Sequence, residues 1–178
     1  QLTQEHYANA ENVFLARDRA KNKTTVLVID HYVPHFDQDA GSKSTYLYLQ
    51  LLVSEGFNVK FLGDNFFKHE PYTSVIQQMG VEVLYGEFYS KYWKQWLSEH
   101  AQDIDVIYMI RPHIAEKYID FINQLKNRPK TIYFGCDLHY LRIQRQYEVE
   151  GRKSLLSDAK AWQSREEALF QKVDQIYY

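Results

Sequence analysis

Six short, strongly apolar runs divide the 178-residue sequence, and they limit the folds open to it. The first run, Thr24–Ile29, is rich in β-branched residues and lacks the alternation that a half-exposed strand shows. Strands that are buried on both faces of a parallel sheet have this composition. The predicted strands are Thr24–Ile29, Phe57–Leu62, Val81–Tyr85, Asp105–Ile110, Thr131–Phe134 and Asp174–Tyr178.

Helical patterns separate these runs. The first carries Leu47, Tyr48, Leu51 and Leu52 on one face, and Gly56 is placed to end it. The predicted helices are Gly41–Glu55, Glu70–Met79, Tyr89–His100, Pro112–Lys126 and Leu155–Val173. Strand–helix alternation with right-handed crossovers predicts an α/β, doubly wound, Rossmann-like fold. We expect a mainly parallel six-stranded sheet with helices on both faces.

The domain boundaries follow from the two ends of the pattern. Residues 1–21 predict a leading helix and a candidate link to upstream sequence. Residues 22–178 form the predicted Rossmann-like domain. Because the last strand runs straight into the end of the chain, we expect a truncation before a second domain.

Composition excludes several classes of partner. The formal charge of −2 creates no overall field that would attract nucleic acid. No apolar run approaches the roughly 20 residues that span a bilayer, so we expect no transmembrane segment. There is no secretory signal pattern, and Cys136 is the only cysteine. A reducing, cytoplasmic location fits best.

Charged and aromatic polar side chains follow the predicted strands. His31 follows the first strand, Arg111 and His113 the fourth, and Asp137 and His139 the fifth. Ligands of open parallel sheets bind at the carboxyl ends of the strands, so we expect these side chains in one crevice. Arg111 would suit a phosphate or carboxylate. Asp137 and His139 are candidates for acid–base chemistry, although Asp137 could equally cap the next helix.

The loop after the first strand ends in small residues where a helix begins: Ala40, Gly41, Ser42, Lys43 and Ser44. Helix amino ends favour anions, but an ordinary helix cap would explain these residues equally well. Neither GxGxxG nor GxxxxGK[ST] occurs, so neither a dinucleotide site nor a P-loop is supported. Asp37-Gln38-Asp39 spells a metal-binding Asp-x-Asp, but no strong ligand spacing accompanies it. We expect no metal and no cofactor.

Several of these segments together resemble the amino-terminal domain of GT4-type glycosyltransferases, whose architecture is GT-B. The segments with this resemblance are Val28–Pro34, Asp39–Ser44, Arg111–Ala115, Asp137–Arg142 and Asp174–Tyr178. The likeness covers residues 24–178. It implies two Rossmann-like domains facing a cleft, with the acceptor bound mainly by the first and the nucleotide-sugar by the second, which this sequence lacks.

The resemblance also implies site roles. Residues Ala40, Gly41, Ser42, Lys43 and Ser44 would approach the donor pyrophosphate, and His139 with Asp137 would be catalytic. The predicted acceptor-binding residues are His31, Asp39, Arg111, His113, Tyr140 and Arg142. Many relatives carry a histidine where this chain has Cys136, which puts the catalytic geometry in question. The implied partners are a nucleotide-sugar donor and a saccharide or lipid-linked acceptor, at a cytoplasmic location peripheral to the inner face of a membrane.

Two other classes of function stay open. A non-catalytic α/β binding or scaffold module of a larger cell-envelope or polysaccharide assembly protein is the main alternative. A small-molecule enzyme such as an epimerase or reductase is less well supported, since the dinucleotide motif is missing. The sequence that follows Tyr178 would discriminate between transferase and binding module.

Overall fold

All six predicted strands form one parallel sheet. The computed structural model describes residue 13 and residues 20–178, so the predicted leading helix lies almost wholly outside the described residues. The strand order is β3-β2-β1-β4-β5-β6, and every neighbouring pair is parallel. The strands are β1 Thr25–Asp30, β2 Asn58–Gly63, β3 Glu82–Leu84, β4 Val106–Ile110, β5 Lys130–Phe134 and β6 Gln175–Tyr177. This order is that of a doubly wound Rossmann-like sheet, which confirms the predicted fold class.

Six α-helices connect the strands of the described region, and a short 3₁₀ turn, Ala101–Asp103, follows the third. They are α1 Ala40–Ser54, α2 Tyr72–Gln78, α3 Glu87–His100, α4 Pro112–Ile122, α5 His139–Glu150 and α6 Ser154–Phe170. Within these residues, no helix has the length and apolar character needed to cross a membrane.

The helices cover both faces of the sheet, as predicted. On one face Val28 and Phe61 pack with Leu49 of α1 and Ile76 of α2. On the other face the core joins residues from β1, β4 and β5 to three helices. This second core includes Ile29, Met109, Tyr133, Leu97 of α3, Tyr118 of α4 and Leu169 of α6. The alternation of side chains along each strand divides the two cores.

Helix α1 does not bury the face that its apolar pattern indicates. Its buried residues are Ser42, Thr45 and Leu49, whereas Leu47 and Leu51 are each 51% exposed. Leu51 lines an open apolar groove with Tyr48 and residues of β4 and β5. The small buried residues let the start of α1 lie close to the end of β1, and Thr45 bonds to Asp30 there. The polar anchor, rather than the leucine stripe, sets the helix orientation.

Two aspartates fix neighbouring strands at the amino edge of the sheet. Asp105 precedes β4 and accepts a hydrogen bond from the Thr25 amide at 2.7 Å. Asp174 precedes β6 and accepts from the Thr131 amide, also at 2.7 Å. Each carboxylate therefore pairs with a backbone N–H at the start of the adjacent strand.

Candidate functional site

An ion pair between a buried aspartate and a partly buried arginine lies at the carboxyl end of the central strands. Asp30, the last residue of β1, is 2% exposed and accepts a hydrogen bond from Arg111 Nε at 2.8 Å. Its other oxygen accepts from Thr45 Oγ1 at 2.8 Å, and the His31 amide bonds to Oδ1 at 2.7 Å. The carboxylate is therefore bonded from three elements and holds Arg111 in place.

The guanidinium of Arg111 lies against the amino end of α1. A Cβ added to Gly41 would be 3.1 Å from Arg111 Nη2 and 3.5 Å from Nη1. Burial alone would lower the pKa of Arg111, but the adjacent Asp30 carboxylate outweighs it, and the pKa is raised. The Arg111 guanidinium therefore stays charged. Gly41 leaves space for it because it has no side chain.

The backbone of Arg111 is unusual. Its φ is 80°, which a residue with a side chain seldom adopts, and its amide donates to Phe134 O at 3.0 Å. Backbone strain of this kind persists only when surrounding contacts hold it, and it is frequent at functional sites.

Asp39 acts as the N-cap of α1. It accepts from the Ser42 amide at 2.8 Å and from Ser42 Oγ at 2.6 Å, and these bonds lower the pKa of the carboxyl. The Ser44 hydroxyl donates to Ala40 O at 3.0 Å, and Lys43 is exposed. The cap interpretation therefore holds for Asp39 and Ser42. Of the predicted donor-phosphate loop, Gly41 is the residue whose position adjoins the Arg111 guanidinium.

Two predicted acceptor-binding histidines lie together beside this pair. His31 Nδ1 and His113 Nε2 are 3.1 Å apart. Burial lowers the pKa of His113, and the neighbouring His31 and Arg111 lower it further, while Asp30 and Asp64 act in the opposite direction. The histidine pair thus lies close enough to Arg111 for their charges to interact.

His139 is held by α6. Its ring stacks on Trp162 at 4.3 Å between centroids, and Nδ1 lies 3.2 Å from Glu166 Oε1. Glu166 is 1% exposed, and it also accepts from the His139 amide at 2.9 Å and the Tyr140 amide at 3.5 Å. Glu166, not Asp137, therefore satisfies the amino end of α5. The alternative that Asp137 caps this helix was wrong.

Asp137 instead pairs with a residue one turn into α5. Arg142 Nε lies 2.9 Å from Asp137 Oδ2, and the Arg142 side chain is 64% exposed. His139 Nδ1 is 3.7 Å from the other oxygen of Asp137. The two predicted catalytic residues, Asp137 and His139, are therefore close together, and Asp137 also pairs with Arg142.

Cys136 directly precedes Asp137 and interacts electrostatically with Arg111 as well. Its φ is 61°. Partial burial raises the pKa of the thiol, the positive charge of Arg111 opposes that effect, and Asp30 and Asp137 add to it. Cys136 is thus within electrostatic reach of both Arg111 and Asp137.

The Asp-x-Asp segment is engaged in other contacts. Asp37 accepts from Tyr72 Oη at 2.7 Å, and Asp39 caps α1. Within the part of the chain that the structure describes, no group of three or more His, Cys, Asp or Glu side chains is arranged to hold a metal ion.

The structure adds residues to the candidate site that the sequence did not single out. Thr45 anchors Asp30, and Trp162 and Glu166 anchor His139. A glutamate within the apolar stripe of α6 was the one signal for Glu166 in the sequence.

Comparison with known proteins gives no functional assignment. No protein family and no curated protein matches the sequence. Among solved structures, the chain is similar to a crystal structure of a protein of unknown function from Vibrio parahaemolyticus. The two share 10% identity over 86% of this chain and 91% of the other, with a TM-score of 0.44.

Proposed function

We propose that this chain is the acceptor-side half of a GT-B glycosyltransferase. In this proposal it contributes acceptor binding and part of the catalytic cleft for transfer of a sugar from a nucleotide-sugar. Its place of action is the cytoplasm, peripheral to the inner face of a membrane. A second domain supplies most contacts to the nucleotide.

The observation that carries the proposal is the Arg111 guanidinium beside Gly41. Transfer from a nucleotide-sugar leaves negative charge on a diphosphate, and a preorganised cation stabilises such developing charge. Asp30 orients Arg111 in advance through a 2.8 Å bond, so the cation need not be reorganised during the reaction. The remaining guanidinium N–H groups can bind two oxygens at once.

In this proposal Asp137 and His139 carry out the general acid–base catalysis. His139 would contact a sugar hydroxyl or move a proton, with Glu166 and Trp162 setting its orientation. In the full-length protein, His139→Ala is expected to lower turnover by more than about tenfold, the low side of what a positioned acid or base contributes. Wild-type turnover in a folded His139→Ala protein would remove His139 from the mechanism.

The test uses the protein extended through its natural sequence beyond Tyr178. Release of nucleoside diphosphate is measured with UDP-, GDP- and dTDP-sugars in the presence of cell-envelope extract as acceptor source. Arg111→Gln is expected to lower turnover by about 100-fold or more, as loss of a charge-stabilising donor does elsewhere. Arg152→Gln is the matched control, since Arg152 is paired with Glu150 beyond the far end of α5.

Two results would contradict the proposal. Unchanged turnover in Arg111→Gln would exclude the role of this cation. A natural sequence with no second α/β domain after Tyr178 would favour the alternative, a non-catalytic binding or scaffold module of an assembly protein.

A further inference from the structure

A second concave site lies at the carboxyl end of β5 and β6, separate from the Arg111–Gly41 contact. It is a cavity of about 370 Å³. Its walls come from the loop after β5, the first two turns of α5 and the residue after β6. The lining residues are Asp137, Leu138, Leu141, Arg142, Arg145 and Tyr178.

The cavity carries an excess of positive charge. Arg142 Nε lies 2.9 Å from Asp137 Oδ2. The two terminal amino groups of Arg142 can therefore bind another partner. Arg145 is one helical turn further along α5, on the same side, and the contacts within residues 20–178 pair it with no acid. The lining side chains therefore comprise two guanidinium groups and a single carboxylate, that of Asp137, and this surplus favours an anion.

Tyr178 closes the opposite wall. Its ring lies against Gly135, where an added Cβ would come within 2.1 Å of the ring, so only glycine permits this packing. Burial, with a smaller contribution from Glu166, raises the pKa of Tyr178 to about 12, although the interaction of its hydroxyl with Tyr133 acts in the opposite direction. The hydroxyl therefore stays protonated at neutral pH and can donate a hydrogen bond. Leu138 and Leu141 give the rest of the wall an apolar surface.

The cavity adjoins the proposed catalytic crevice. Asp137 belongs to its lining. The preceding residue is Cys136, and its thiol interacts electrostatically with both Asp137 and Arg111. A ligand seated here could extend its other end toward Arg111.

We propose that this cavity binds the phosphate or diphosphate of an acceptor, with Arg142 and Arg145 holding the anion and Leu138, Leu141 and Tyr178 contacting an attached apolar chain. The tetrahedral phosphate presents more acceptor oxygens than a carboxylate, and the two forked guanidinium groups with the tyrosine hydroxyl supply matching donors. The role of this ligand as the acceptor substrate rests on the proposed transferase function. The binding itself does not.

Calorimetry on the 178-residue chain tests the binding, with inorganic pyrophosphate and geranyl diphosphate as probes. Geranyl diphosphate is expected to bind at least about tenfold more tightly, because its chain buries apolar surface against the leucines. Arg145→Gln should weaken both probes by at least about tenfold, since it removes a charge-assisted hydrogen bond. Leu141→Asn should weaken geranyl diphosphate alone.

The controls separate this cavity from other cationic sites. Arg152→Gln changes an arginine paired with Glu150 beyond the far end of α5 and should leave both affinities unchanged. Lys91→Gln, which changes a cation paired with Glu87 on α3, should also leave geranyl diphosphate binding unchanged. Unaltered affinity in Arg145→Gln, or no binding of either probe, overturns the proposal. Equal affinity for the two probes overturns the apolar part and leaves a free-phosphate site.

The same measurements keep the two proposals distinguishable. If the extended protein transfers no sugar but geranyl diphosphate binding still depends on Arg145, the transferase proposal fails and the cavity assignment stands. If transfer occurs and Arg145→Gln has no effect on binding, the cavity assignment fails alone.

Discussion

At the scale of single residues, Arg111 depends on its neighbours for both its backbone and its charge. A φ of 80° costs of the order of 1–3 kcal/mol for a residue with a side chain, so its contacts must offset this. The sequence could predict that Arg111 follows a strand. It could not predict that the side chain turns back onto Asp30, because that direction depends on a left-handed backbone which arginine rarely adopts.

The His31–His113 pair gives a pH dependence at the same scale. Burial first, and then His31 and Arg111, lower the pKa of His113 in the folded chain. The unfolded chain therefore binds more protons between the folded-state pKa and about 6.5, the ordinary value for histidine. The free energy of unfolding should fall as pH drops below that value.

Urea denaturation at several pH values between 7.5 and 5 tests this dependence. His113→Gln should give a shallower loss of stability than the wild type. His69→Gln provides an independent comparison with the same direction, because burial and the neighbouring His35 lower the pKa of His69. Parallel pH profiles for wild type and His113→Gln would contradict the assignment.

At the scale of elements, five of the six described helices were predicted to within about four residues, whereas for α5 the sequence indicated only a start near Leu138. The rotation of the helices was not predicted. Leucines at positions 47 and 51 of α1 follow a helical apolar pattern, yet both are half exposed, and Leu49 is fully buried. The deciding contact is a hydroxyl–carboxylate bond from Thr45 to Asp30, which no apolar periodicity reports. Likewise, Glu166 breaks the stripe of α6 because it bonds the start of another helix.

The rotation of α1 predicts a large difference between two similar substitutions. Leu49→Ala should lower the free energy of unfolding by about 2–5 kcal/mol, since it empties a fully buried position. Leu47→Ala should cost less than about 1 kcal/mol, because that side chain is already half in water. Urea denaturation of both variants measures the difference. Equal costs would mean that the helix is rotated as its leucine pattern indicates.

The attachment of α5 predicts a second matched comparison, on α6. Glu166→Gln replaces a buried acceptor of three N–H groups with a neutral amide and should cost about 1–3 kcal/mol. Glu167→Gln, whose carboxylate accepts a hydrogen bond from Gln163 on the exposed side of the helix, should cost less than about 0.5 kcal/mol.

Hydrogen exchange locates the Glu166 effect. The amides of α5 should lose protection in Glu166→Gln while those of the central strands keep it. A uniform change across the chain would argue against a local role for Glu166.

At the scale of the whole molecule, the sheet and its order follow from the alternation of six runs with helical segments, because right-handed crossovers leave few topologies. The same rule led to the prediction that the residues after the strands lie at one edge of the sheet. The partners of these residues were not predicted, since a loop residue's contacts depend on neighbours far along the chain. His139 and Glu166, for example, are 27 residues apart.

The proposed division of labour between two domains predicts weak donor binding by this chain alone. Calorimetry with UDP-, GDP- and dTDP-sugars on residues 1–178 should give dissociation constants in the millimolar range at best. An anion would still contact Arg111 and Gly41, but the nucleotide would lack most of its contacts. Micromolar binding would contradict the assignment of the donor site to a second domain.

The aspartates that precede β4 and β6 have a consequence for how such a chain can vary. Asp105 and Asp174 lock the strand starts at the edge of the sheet opposite the crevice. The alignment of these strands therefore does not rely on the loops that carry Arg111, Cys136 and Asp137. Those loops can therefore be changed by mutation or by engineering while the strand pairing is kept. New ligand preferences can then be selected without loss of the fold.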